Sequence, residues 1–562
     1  MVEHMKWWGW GREDVSFTHR DKPALAPFVR RVLDVDLDAE LSHRPDFAEL
    51  SVPEPAAAPE LRAALVAAVG ADHVHDDALE RVLHTYGKSL RDLLRVRRGD
   101  LGRLPDLVVY PGSEHEVSEV LAAALAADAV VIPFGGGTNI AGSLEAPRDE
   151  ARTVVSVDLG RLDRVVEIDT DSRLARVEAG VLGPDLERQL GAEGWTMGHF
   201  PDSFTHSTLG GWVATRSSGM QSDKYGDIAD IVKAVRVVTP AGTLATRAVP
   251  STSTGPSVRE MVLGSEGRLG VITEVTVQVH RVPPQRVILG YFFPDWRTGL
   301  AAMRDIAESE ATPSVTRVSD ANETAFSFAT RKRGSLLSRA VSGGLKAVLR
   351  RRGWDLDRMC LSFIGFEGTP GHVKRQRRLV GSIVSRHGGL CVGTGPGALY
   401  DQKKFDTPYI RDFLLDRGAL ADVSETAAAW SRLLPLYERV VAQARQAFAD
   451  LGVRGWTMCH LSHSYHAGAC LYFTFAFKPS GRRDGLEEYD TVKFAVQQAF
   501  VDAGATLSHH HAVGTEHAHW LEQDISAPGV AMLRALFDGM DPGANLNPGK
   551  IVPSRVGTRG GV

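Results

Sequence analysis

Cysteine is scarce: Cys360, Cys391, Cys459 and Cys470 are the only four in 562 residues, and none has CxxC spacing. That excludes a disulfide framework and a zinc ribbon, and reads as buried or free thiols in a reducing compartment. Long apolar runs are missing too. The longest, Val120 to Phe134, is interrupted by Asp128 and divides into a helix and a strand, well short of a membrane span. The leading MVEHMKWWGWGRED carries charge and no signal-peptide core, and the closing RGGV is no receptor-read address, so a cytoplasmic protein is expected. Excess charge of either sign is lacking: 64 Lys and Arg face 69 Asp and Glu, which argues against nucleic acid as a partner. The absence of GxxxxGK(S/T) excludes a P-loop phosphotransferase, and the absence of GxSxG a nucleophile-elbow hydrolase.

What the chain does have is glycine placed at strand ends. In PFGGGTNI, Pro133 to Ile140, three glycines follow the β-branched run Val130 to Ile132. Without Cβ atoms, Gly135, Gly136 and Gly137 can turn at positive φ and present several N–H groups to one phosphate or pyrophosphate. Residues 1 to about 100 read as helical, with apolar periodicity over Leu61 to Val69 and Ala78 to Leu94; Trp7, Trp8 and Trp10 read as anchors folding an arm onto the core. Beyond Pro105 come short strands: Val154 to Leu159, Val165 to Ile168, Ala175 to Val181, Val235 to Thr239 and Val271 to Val279, with one helix over Pro184 to Gly194. The class is α+β, unlike the regular alternation of a doubly wound nucleotide fold.

Two further segments share that region. PDSFTHSTLGGWVATRSSG, Pro201 to Gly219, crowds small and hydroxyl residues that let backbone lie against a large flat ligand while hydroxyls bond it. GSEGRLGVITE, Gly264 to Glu274, is a glycine-rich turn feeding a strand. Together the three resemble the FAD-binding domain of the vanillyl-alcohol oxidase superfamily. The resemblance implies FAD contacts at Pro133, Phe134, Gly135, Gly136, Gly137, Thr138, Asn139, Asp202, Ser203, Thr208, Thr215, Ser217, Ser218, Glu266, Gly267, Gly270 and Ile272. Many members tether the flavin through a histidine beside the glycine loop; Thr138 and Asn139 stand there instead, implying non-covalent FAD.

The later motifs narrow the likeness. KWWGWG, SDKYGDI, YIRD (Tyr409 to Asp412), SYHAGACLYFTFAF (Ser464 to Phe477) and LSHHHAVG (Leu507 to Gly514) resemble the alkyldihydroxyacetonephosphate synthase family nearly end to end. The likeness implies a helical segment over 1–100 and a PCMH-type FAD-binding domain of two α/β subdomains over 101–285. A cap of antiparallel sheet flanked by helices would follow over 286–500, and a helical segment over 501–562 would return to the flavin. It also implies a homodimer and a redox-neutral exchange of acyl for fatty alcohol on acyl-dihydroxyacetone phosphate through a flavin adduct. Tyr465 is then the general acid/base. His509, His510 and His511, read as a strand with alternating rings, offer a proton relay or phosphate ligand. Arg411 suits a phosphate or carboxylate, and Arg317 is a weaker candidate for the same work. No metal is expected, although His460, His463 and His466 lie near in sequence.

Arg331 to Arg352 spaces Leu337, Val341, Leu345, Val348 and Leu349 three or four apart among basic residues, as in an amphipathic helix that lies on an anionic membrane or gates an acyl tunnel, or equally in a cap-domain helix with a solvated basic face. Two departures from the family keep other readings open. Thr515, Glu516, His517, Ala518 and His519 stand where the synthases carry several basic residues, and ADVSETAAAW, Ala421 to Trp430, replaces a GESFETS-like run. The alternatives are an FAD-dependent D-2-hydroxyacid dehydrogenase, with Arg411 on the carboxylate, and a flavin-binding module without catalysis.

Overall fold

The computed structural model describes residues 2–39, 46–332, 344, 347, 349–397 and 408–553. Leu337, Val341, Leu345 and Val348 of the expected basic helix, and the closing RGGV, lie outside the described residues.

The run Val120 to Phe134 becomes a helix, Glu114–Ala126, and a strand, Val130–Phe134, joined at Asp128 with φ 50°. Ser113 caps the helix by accepting from the Glu116 amide, and Val117, Val120, Leu121 and Ala124 form its buried stripe. Val130–Phe134 pairs in parallel with Val154–Asp158, which pairs in parallel with Leu107–Val109; Val74–His75 closes that sheet antiparallel. A second, antiparallel sheet takes Val165–Asp169, Leu174–Glu178, Val271–Gln278, Val232–Thr239 and Gly242–Ala245 in that spatial order. Strand ends sit up to three residues from the apolar boundaries, because pairing rather than hydropathy sets them.

Ala78 to Leu94 is not one helix. It divides into Ala78–Leu83 and Leu90–Arg97, with Gly87 between them pressed against the Asn139 carbonyl and Ser89 opening the second helix in a capping box with Asp92. Apolar periodicity runs through the break and hides it.

A seven-stranded antiparallel sheet follows, ordered Leu390–Gly393, Gln285–Phe293, Cys360–Gly368, Val315–Ser319, Gly455–Ser464, Gly468–Phe477 and Leu420–Ala429. Its side chains sort by twos. Cys459, Leu461, Leu471, Phe473 and Phe475 join the core with helices Trp296–Glu308, Pro370–Arg386, Trp430–Leu451 and Gly485–Asp502, while Met458, His460, Tyr472 and Thr474 line a cavity. The chain then returns. Helix Leu521–Met540 leads to a stretch in which the Val131 amide donates to the Asn545 carbonyl at 2.7 Å and the Asn547 amide to the Val131 carbonyl at 2.9 Å. No helix among the described residues is long and apolar enough to cross a membrane.

Trp7, Trp8 and Trp10 are buried, so the arm folds back as expected. Asp412, on helix Pro408–Leu415, holds it: Oδ2 accepts from the Trp10 amide at 2.7 Å and lies 3.4 Å from Lys6 Nζ. Asp412→Ala leaves Lys6 buried without its carboxylate, a loss of about 3–5 kcal/mol for broken buried pairs. The arm should then be cut by trypsin at Lys6 much faster while the core resists; an unchanged cleavage rate would show that the pair does not anchor it.

Candidate functional site

The glycine loop begins where Val130–Phe134 ends, and it lines a cavity of about 1330 Å³. Gly137 takes φ 66°. At Gly136 a Cβ would run into the His206 backbone carbonyl, and at Gly135 into Thr208 Oγ1, so the loop lies directly against the Pro201 to Gly219 run. Asn139 closes the turn, its Oδ1 accepting from the Ala141 and Ser143 amides at 2.9 Å each. Every residue assigned above to the cofactor lines this one cavity.

Several hydroxyls of the run are engaged within the protein, while the buried Ser218 Oγ, on a cavity-lining residue, has no hydrogen-bond partner among the described residues. Thr208 Oγ1 caps helix Leu209–Thr215 by accepting from the Gly211 amide, Thr215 Oγ1 donates to the Gly211 carbonyl, Ser203 Oγ donates to Ser207 Oγ, and Ser217 Oγ bonds His199 Nε2 at 2.9 Å. These hydroxyls mainly shape the wall. Glu266 is likewise committed to the protein: its carboxylate accepts from Ser143 Oγ at 2.5 Å and from the Val513 and Gly514 amides at 2.9 and 3.0 Å. Asn547 donates from Nδ2 to the Ser143 and Glu266 carbonyls, while its buried Oδ1, on a cavity-lining residue, has no partner among the described residues. A glycine cradle and a waiting polar atom fit a flat, phosphate-bearing cofactor.

On the cap side, Tyr465 sits in the turn between strands Gly455–Ser464 and Gly468–Phe477. Its hydroxyl donates to Asp227 Oδ2 at 2.7 Å and lies 2.5 Å from His509 Nε2. Burial, then the Asp227 charge, pushes the phenol well above its ordinary value, so it is protonated at neutral pH. Tyr465 and His509 stand behind the wall; His510 and His511 line the cavity itself. His509 Nδ1 and His510 Nδ1 are 3.0 Å apart, which completes a hydrogen-bonded row from cavity to Asp227.

The histidine run is a bend, not the expected strand, and a buried carboxylate is the reason. Glu425, on strand Leu420–Ala429, accepts from the His509 amide at 2.8 Å and from the His510 and His511 amides at 3.1 Å each, and from Ser508 Oγ at 2.7 Å. Three successive N–H groups converging on one carboxyl cannot come from an alternating strand. Burial opposes ionisation of Glu425, but the histidines and Ser508 outweigh it and hold the carboxyl well below the usual range. Burial keeps His510 and His511 below theirs, and therefore neutral.

Arg411 lines the cavity, and its buried Nε and Nη2 have no hydrogen-bond partner among the described residues. Arg317 also lines it but donates to Glu323 at 2.6 Å, with His460 Nδ1 2.9 Å from the same carboxylate, so its charge is already matched. Of the other histidines considered together, His466 is exposed and only His463 approaches the 509–510 pair. Sequence reasoning missed Glu425, Asp227, Glu323 and Asn547. Asp227 lies inside SDKYGDI and Asn547 inside DPGANLNPGKI, so both were within reach as motif residues.

Comparison with known proteins agrees with this geometry. A family profile described as the FAD binding domain matches residues 105–247, and one described as FAD linked oxidases, C-terminal domain, matches residues 282–551. The chain is 38% identical to alkyldihydroxyacetonephosphate synthase of Dictyostelium discoideum, covering 99% of this chain and 94% of that one. It is 34% identical to the Trypanosoma brucei brucei protein of the same name, covering 98% and 93%. A solved alkyldihydroxyacetonephosphate synthase structure superposes with a TM-score of 0.85 at 36% identity, over 97% of this chain and 98% of that one.

Gly136→Ala places a methyl group on the His206 carbonyl, backbone against backbone, where no rotamer gives relief. Flavin retention, read as visible absorbance against protein on gel filtration, should fall at least about tenfold, the factor that ~1.4 kcal/mol gives. Full retention would mean that the loop does not hold the cofactor.

Proposed function

The chain belongs to the alkyldihydroxyacetonephosphate synthase family, and from that premise we propose that its cavity exchanges the acyl group of an acyl-dihydroxyacetone phosphate for a fatty alcohol. FAD is the cofactor. One observation carries the substrate reading: the glycine cradle, the Arg411 guanidinium and an apolar wall all line the same cavity. Phe28, Leu33, Phe326, Phe328, Met359 and Phe363 belong to that wall. It suits a long alkyl or acyl chain, worth about 0.8 kcal/mol per buried CH₂.

The reaction breaks the bond between the ketone-bearing fragment and the ester oxygen and forms one from the same carbon to the alcohol oxygen, with no net oxidation. Bound FAD supplies the covalent catalyst. The chain does the rest: Arg411 takes the phosphate, and the apolar wall holds the chains and excludes water. His510, His509, Tyr465 and Asp227 form a relay that carries a proton between the cavity and the interior. Since the phenol is protonated at rest, Tyr465 serves as an acid or as a bridge, not as a standing base. In this reading the flavin has no covalent tether, and the enzyme is a cytoplasmic homodimer that meets its lipids at a membrane surface through the basic stretch 331–352.

The test is anaerobic incubation of the holoenzyme with palmitoyl-dihydroxyacetone phosphate and labelled hexadecanol. Label should enter the ketone phosphate as palmitate leaves in equal amount. No exchange, with flavin bleaching by D-lactate or glycolate instead, would retire this reading for a dehydrogenase. Arg411→Met should raise KM for the acyl ketone about 10- to 100-fold, the range for hydrogen bonds to a charged group, with Arg411→Lys in between. Tyr465→Phe should cut turnover about 10²-fold or more, and full turnover would remove Tyr465 from the relay.

A pH profile separates the roles further. Asp227 disfavours the phenolate by repulsion, so Asp227→Asn should lower the Tyr465 pKa and move the alkaline limb of kcat to lower pH. An unmoved limb would show that Tyr465 does not titrate in the rate-determining step.

A further inference from the structure

His463, Cys470, His509 and His510 offer ligand atoms that all lie within 4.8 Å of one another, just behind the cavity wall. Cys470 is fully buried and has no part in the exchange described above.

The hydrogen bonds around this group fix where its lone pairs lie. His463 Nε2 is 3.0 Å from the Gly219 carbonyl, which can only accept, so the proton is on Nε2 and the lone pair on Nδ1, where it accepts from Ser462 Oγ at 2.8 Å, a hydroxyl that must turn away for a cation to bind. Tyr465 gives its proton to Asp227, so His509 Nε2 must donate to Tyr465, which leaves the His509 lone pair on Nδ1 as well. That atom is 3.0 Å from His510 Nδ1. Two imidazole nitrogens bound to one tetrahedral zinc ion at about 2.0–2.1 Å sit about 3.3–3.4 Å apart, so the pair opens by a few tenths of an ångström to take the ion. A metal-binding histidine usually donates its second N–H to a carbonyl or carboxylate, and His463 on Gly219 and His509 on Tyr465–Asp227 already have that support. Glu425 adds negative charge: Oε2 lies 3.4 Å from His510 Nδ1 and 3.9 Å from Cys470 Sγ.

We propose that His463, Cys470, His509 and His510 form a binding site for zinc or a like divalent cation, entered from the cavity past His510, and that its occupation switches the enzyme off. Binding releases the Cys470 thiol proton to solvent and moves the His510 proton from Nδ1 to Nε2, with no change of oxidation state. The switch follows from shared atoms: the cation takes the two Nδ1 positions through which His510 and His509 exchange a proton. This second half rests on the relay in the proposed function; the site itself does not.

Tag-free holoenzyme is equilibrated with ZnCl₂, freed of unbound metal by gel filtration, and assayed for zinc by mass spectrometry and for zinc–sulfur scattering by X-ray absorption. One zinc per chain is expected, with a sulfur neighbour at about 2.3 Å. Cys470→Ser and His463→Gln should each lower the zinc content at least about tenfold at unchanged flavin content. No zinc retained by the wild type, or zinc without sulfur scattering, overturns the site. Exchange activity should fall in proportion to zinc loaded and return with EDTA. Full activity of the zinc-loaded enzyme overturns the relay while leaving the site standing.

Discussion

Two buried carboxylates, one from each half of the molecule, hold the segment Ser508 to Gly514. Glu425 of the cap sheet accepts from Ser508 Oγ and the amides of 509 to 511, and Glu266 of the flavin side accepts from the amides of 513 and 514. Ala512 between them takes φ 76°, where the chain turns from one anion to the other. Burying a carboxylate without partners is prohibitively costly, so both lean on this short segment for donors, Glu266 with Ser143 Oγ besides. The cavity lies between the two halves that the segment joins. The glycine-loop side of the cavity and the bend at 509–511 are therefore tied together by the same few N–H groups.

That arrangement also explains why Tyr465 and His509 stand behind the wall. The bend at Glu425 turns His510 and His511 to the cavity and leaves His509 against Tyr465. A strand would have placed His509 and His511 alike on one face and His510 on the other. The carboxylate converts three identical residues into three environments, with the relay along one direction and the Tyr472 ring stacked against His510 along another.

Where the cavity wall is shaped by backbone, the sequence is readable. Glycines followed by no alternative packing announce a loop that must approach something closely, and each residue assigned to the cofactor does line the cavity. The strands could be read from β-branched runs, because buried strands are made by composition over several residues. What stayed hidden were pairings between residues far apart in the chain: Glu425 with 509 to 511, Asp227 with Tyr465, Glu323 with Arg317 and His460. Nothing local marks such carboxylates, because their meaning lies in which distant donors the fold delivers. The break at Gly87 is hidden for the same reason, since the chain there turns to the distant Asn139 carbonyl, which accepts from the Lys88 amide at 2.6 Å.

The thinned basic stretch after the histidines looked, in sequence, like an argument against a phosphorylated substrate. The fold removes most of that argument. Thr515 Oγ1 donates to Glu145 at 2.8 Å, Glu516 is buried with Arg91 and Lys493 among the nearby charges, and His517 Nδ1 is 2.8 Å from the Ala512 carbonyl. None of Thr515, Glu516, His517 and His519 lines the cavity. Their charges serve the interior behind the segment, where basic residues would have to find acids. Inside the cavity the electrostatic question is settled by matching. Arg317 is matched by Glu323, and Lys22 and Lys332 by Asp21, whereas Arg411 keeps Nε and Nη2 for something the described residues do not supply. Under the proposed function, anion recognition in a largely apolar cavity rests on the buried, incompletely satisfied Arg411 guanidinium, with Arg331 as a second, exposed cation on the wall.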